Sequence, residues 1–103
     1  MGHIVRQQLP ATYGVCSVPL RRGARVLGVE CGQFGTIDLV AVVDFTAEPV
    51  TFRVQILTEG VEMGPMVQRF IGRADVPNHP PLYVFEHYEE GETPAVLVGS
   101  GSW

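Results

Sequence analysis

Residues 36–57 alternate between apolar and polar side chains with a period of two. In the second half of this stretch Val50, Phe52, Val54 and Ile56 point one way, and Thr51, Arg53 and Gln55 point the other. That is the signature of a strand with one buried face. In the first half Ile37, Leu39, Ala41, Val43 and Phe45 share a face, yet the opposite face carries Val40 and Val42. Such a strand is expected to be covered on both sides, as a central strand is. A turn at residues 46–49 joins the two, with Pro49 opening the second strand, where its missing N–H does little harm.

The same reading predicts strands over residues 3–9, ended by Pro10; 13–18, stopped by Pro19; 24–31; 66–74; and 82–88. Arg21, Arg22 and Gly23 read as a turn, and residues 32–35, with glycine at both ends, as a hairpin loop. Residues 58–65 form a loop containing glycine. Residues 75–81 hold three prolines and are excluded from helix. The longest run without Gly or Pro, residues 36–48, has strand rather than helix periodicity, so no long helix is expected. The prediction is one all-β domain over residues 1–98: six or seven antiparallel strands in a small sandwich or partly closed barrel. Residues 99–103 read as a flexible tail or fusion scar, which sets Trp103 aside.

Composition sharpens this picture. The chain has 103 residues, the size of one domain. Its 16 valines favour strands. It has seven arginines, no lysine, eleven acidic residues and a net charge of −4. Without lysine there is no phosphate-loop lysine, Schiff base or lysine general base. The acidic balance argues against general nucleic-acid binding. No run reaches the length of a membrane span, and the first residues lack a signal-peptide pattern, so a cytosolic protein is expected. Cys16 and Cys31 are expected to be buried thiols rather than a disulfide, Cys31 being in phase with Leu27 and Val29.

Chemistry-bearing constellations are sparse. Ser17 is the only serine before the tail and lacks a nucleophile elbow. Asp38 and Asp44 share a strand face by spacing, and read as its solvated side. His3, His79, Glu86 and His87 match no metal-ligand spacing, and Gly32 and Gly35 fall between strands rather than before a helix. No catalytic residue, metal or cofactor is therefore expected, and the chain is read as a non-enzyme.

The concentrated charge is Arg21, Arg22 and Arg25 around one turn, which Arg69 and Arg73, in phase on a later strand, would extend. A solvated turn is the plainer reading. The alternatives are an inter-subunit ion network with the acidic residues 86–92, or a small anionic ligand such as a nucleotide held by bidentate guanidinium bonds. The second notable feature is the apolar run Ala95, Val96, Leu97 and Val98. An exposed strand of this kind is a pairing hazard. It would close its own sheet or add to a neighbouring subunit's edge in a homo-oligomer.

Short motifs occur in a suggestive order: VPLRRGARVLGV at 18–29, LVAVVD at 39–44, FRV at 52–54, RFIG at 69–72 and LYVFE at 82–86. In this order they resemble a family of short uncharacterised proteins of bacteriophages and bacterial genomes. Leu39 and Val40 stand where that family tends to have an aromatic residue, and residues 58–61 replace its Gly-His-Pro loop. The resemblance implies no activity. It implies a phage-type accessory protein, in the host cytoplasm, with a host or virion protein as partner. With no amphipathic helix in the chain, the doubly apolar strand needs a second sheet or another subunit as its cover. That requirement places a binding or assembly role ahead of an enzymatic one.

Overall fold

The computed structural model describes residues 2–10, 13–65 and 67–88. Seven strands account for the regular structure: β1 (His3–Gln8), β2 (Gly14–Arg21), β3 (Arg25–Cys31), β4 (Ile37–Val43), β5 (Pro49–Leu57), β6 (Val67–Ala74) and β7 (Leu82–His87). They form a three-stranded sheet in the order β1-β4-β3 and a four-stranded sheet in the order β2-β5-β7-β6. Every pairing is antiparallel. The two sheets stack as a small open sandwich, not a closed barrel. Among the described residues no helix is long and apolar enough to cross a membrane.

The core follows the period of two. Ile37, Leu39, Ala41 and Val43 of β4 face Phe52, Val54 and Ile56 of β5, with Leu82 and Val84 of β7 alongside, all buried. Strand β4 is central in its sheet, and its outward Val40 and Val42 are only half-buried. The expected double cover is thus supplied on one side by the second sheet. On the other side it comes partly from Arg6. This side chain lies opposite Val40 in register, and its guanidinium bonds both Asp38, at 3.0 Å, and Glu30 of β3. Reaching Glu30 from β1 requires crossing β4, so the aliphatic stem covers the valine while the head stays wet.

Four local expectations are corrected. Strand β2 runs through Pro19 to Arg21, because β2 is an edge strand and a missing N–H is tolerated on its outer side. Cys31 is exposed, not buried: beyond a bulge that turns Leu27 outward it pairs with the inward-facing Ile37, but it stands at the end of an edge strand, where the core no longer covers it. Cys16 is buried, and both thiols are free. Phe45 lies beyond the end of β4 and is exposed, its ring tilted against His3 with centroids 5.2 Å apart. Finally, Asp38 and Asp44 do not form a solvated pair. Asp38 is buried beneath Arg6, and Asp44 caps the β4–β5 turn by accepting hydrogen bonds from Thr46 N and Oγ1.

Among the described residues the sandwich is closed on one side and open on the other. At the closed side β3 packs on β6 so tightly that a Cβ on Gly72 would sit 3.0 Å from Val29 Cγ2. At the open side lie the outer strands β1 and β2.

Candidate interaction surface

The arginine turn is built by backbone geometry. Gly23 takes φ +79°, a conformation open to glycine without a steric cost, and lets β2 reverse into β3. The turn is tied to its neighbour, the β4–β5 turn. Arg22 N donates to Glu48 O at 2.9 Å, Arg21 Nη1 donates to Ala47 O at 3.0 Å, and Arg22 forms an ion pair with Glu48. Arg21 and Arg22 thus hold two turns together. Arg25 points outward from β3, on the outer face of the three-stranded sheet.

Arg69 and Arg73 are not brought to this turn. They sit on β6, at the far edge of the four-stranded sheet, with β5 and β7 intervening before β2. A bulge between Phe70 and Gly72 also breaks the phase assumed to join them. Arg73 pairs with Asp75 at 2.9 Å, which raises its pKa. Nor does Glu86 face the arginines, because it is fully buried on the inner face of β7. The remaining acidic residues, 89–92, and the run Ala95, Val96, Leu97 and Val98 lie outside the described residues.

What the structure does assemble is an apolar groove at the open side. Val5 of β1 and Val43 of β4 form one wall, Pro19 and Leu20 of β2 the other, with Phe45 and Arg21 at one end. It encloses about 250 Å³, room for aliphatic side chains but with few polar groups to orient a small molecule. Its rim is the outer edge of β1. In the sheet order β1 has a neighbour only in β4, so among the described residues its other edge is unpaired.

Every other outer strand among the described residues is guarded. Strand β2 carries Pro19, β3 carries a bulge, and β6 carries two irregularities and packs against β3. These are common devices against edge-to-edge pairing. Strand β1 has neither proline nor bulge, and its register with β4 is regular over all six residues. Its Ile4 side chain is 72% exposed.

A second exposed apolar surface lies on the outer face of the four-stranded sheet. Phe70 packs edge-on against Phe85 with centroids 5.3 Å apart, and tilts against Tyr83 at 6.4 Å. Val61 and Met63, both exposed, rim a shallow cleft of about 220 Å³ beside them. The Tyr83 hydroxyl donates to Glu59 at 3.0 Å, which holds its proton and raises its pKa. The sequence showed Tyr83 and Phe85 on one face of β7, but not that Phe70 joins them, since that depends on β6 lying beside β7.

Among the described residues no group of three or more His, Cys, Asp or Glu side chains could hold a metal ion. No protein-family model, curated protein or solved structure matches the chain.

Proposed function

We propose that the protein is a non-enzymatic binding and assembly module that works as a homo-oligomer, using the open side of its sandwich. One observation supports this reading: among the described residues β1 is a strand edge with neither proline nor bulge, flanking an apolar groove, whereas β2, β3 and β6 carry such devices. Pairing at such an edge supplies main-chain hydrogen bonds, while alternate side chains entering a groove supply specificity. Large exposed apolar patches on small domains commonly mark interaction sites. The aromatic face of Phe70, Tyr83 and Phe85 is of the residue type enriched in interface cores. It is the surface offered to a partner protein, of the host or virion kind that the motif order implies.

The anionic-ligand alternative draws less support, since Arg21 and Arg22 are engaged in fastening two turns and Arg69 and Arg73 lie elsewhere. Light scattering tests the assembly reading. The expected result is a mass above that of the monomer, falling to the monomer for Ile4→Lys, because a charged lysine on an edge opposes pairing. A wild-type protein monomeric at every concentration would overturn it.

A further inference from the structure

We propose that the cleft beside Tyr83 and Phe85 binds a small organic ammonium ion, one whose charge is wrapped in methyl or methylene groups. The site goes beyond the assembly reading and does not depend on it. The cleft lies on the outer face of the four-stranded sheet, away from the groove between β1 and β2.

The first support is how the cleft is built. Strand β5 ends at Leu57, and the chain turns over residues 58–61. Gly60 takes φ +85° at the third position of that turn, and Val61 N donates to Thr58 O at 3.4 Å. The turn brings Glu59 to β7, where the Tyr83 hydroxyl donates to Glu59 Oε1 at 3.0 Å. Leu57, Val61 and Met63 add apolar lining, and Phe85 shares the face of Tyr83. The cleft holds about 220 Å³, below the roughly 300–1,000 Å³ of sites for drug-sized molecules. Its size suits a group of a few heavy atoms.

The second support is charge. Among the described residues that line the cleft, Glu59 is the one ionic side chain, and no guanidinium is present. Among the described residues Glu59 Oε2 accepts no hydrogen bond, so half of the carboxylate is left for a ligand. Glu62, on the same loop, adds a second negative charge. Arg73 stands opposite Tyr83 in register, but its guanidinium pairs with Asp75 at 2.9 Å. An anion entering the cleft would meet a carboxylate and no counter-charge.

The third support is the type of surface. An aromatic ring is negative over its face and attracts a cation placed there. Tyr83 and Phe85 bring two such rings to the cleft, and Phe70 packs edge-on against Phe85. An alkylated ammonium gains on both counts: its charge meets the rings and Glu59, and its methyl groups meet Leu57, Val61 and Met63. A bare ammonium would need an acceptor for each of its three protons, which a mostly apolar lining serves poorly.

Nuclear magnetic resonance titration of the full chain tests the site. The probe is tetramethylammonium chloride, with sodium chloride as the salt control and the neutral carbon isostere of choline as the shape control. The expected result is saturable shifts at the Gly60 amide and at the Tyr83 and Phe85 rings, with the ammonium alone. Glu59→Gln, at an exposed position, and Tyr83→Leu are each expected to weaken binding about two- to fivefold, while circular dichroism stays unchanged. Choline chloride and phosphatidylcholine vesicles form two further arms. Saturation by choline chloride assigns a soluble ligand, and saturation by the vesicles alone assigns a lipid headgroup. Equal saturation by the neutral isostere would overturn the proposal. So would shifts that never saturate, shifts confined to other parts of the chain, or an unchanged affinity in folded Glu59→Gln. The assembly reading is untouched by any of these results, because its measure is mass.

Discussion

Glu86 is the residue whose placement runs most against its chemistry. It follows Leu82 and Val84 on the inner face of β7 and is fully buried. Its Oε2 accepts a hydrogen bond from the buried Tyr88 hydroxyl at 2.5 Å, while no described residue satisfies Oε1. Losing a partner from a buried polar group costs about 1–3 kcal/mol. Tyr88→Phe is therefore expected to lower unfolding free energy by about that much in urea titration. Tyr83→Phe, at a more exposed position, should stay within about 0.5 kcal/mol of wild type. The alternation of residues 82–88 was legible in the sequence. That the face ending in a carboxylate is the inner one was not, because periodicity gives phase without saying which phase faces the core. Asp44 offers a second test at this scale. The Thr46 hydroxyl, then its backbone N–H, hold the Asp44 carboxyl below the usual carboxylate range. A depressed folded pKa adds stability above the unfolded-state pKa, and that stability is lost as pH falls through the lower folded value. Thr46→Val should be less stable than wild type near neutral pH, the gap closing as acid titrates Asp44. A pH series of thermal melts reads it.

At the scale of elements, regular strands were legible and their irregularities were not. Strand β5 reads from Val50 to Ile56 as it folds, because every second residue is apolar and none is displaced. Strand β3 has apolar residues at suitable positions too, but Leu27 is the extra residue at its bulge and is turned outward, while Val29 and Cys31 beyond it pair with the inward-facing Leu39 and Ile37. A bulge is a property of two strands, since it counts residues on one against residues on the other. A single segment cannot announce it. The irregularities of β6 have the same origin and move Phe70 onto the aromatic face. Gly72, beside one of them, marks where β6 meets β3. A Cβ there would stand 3.0 Å from Val29 Cγ2 and 3.4 Å from its backbone nitrogen. Gly72→Val adds further atoms to that contact, so β3 and β6 must part or the side chain must leave its preferred rotamer. Overpacking of this kind costs about 1–3 kcal/mol. The urea midpoint is expected to fall with an unchanged slope, as for a less stable domain that still unfolds as a unit.

At the scale of the molecule, the layers and strand order were out of reach of the sequence, and with them the interaction surface. The requirement for a second layer came from Val40 and Val42, and a second sheet is present. Yet it covers the opposite face of β4, leaving those valines to Arg6 and partial exposure. What most distinguishes the molecule is the contrast between its sides: β3 pressed onto β6, and β1 standing apart from β2 across an apolar groove. An assembly that uses the open side should reveal itself in thermal stability without any ligand. A folded state that binds a second copy is stabilised by mass action, so its melting temperature rises with protein concentration. The wild-type melting temperature is accordingly expected to climb across a hundredfold concentration range. In Ile4→Lys it should stay flat, and at low concentration, where the wild type is dissociated, the two should coincide. Coincidence there would separate loss of association from damage to the monomer, since Ile4 points away from the core and its replacement removes no buried contact of the single chain. A wild-type curve as flat as the variant's would mean that the groove and its bare edge do not pair copies of this chain.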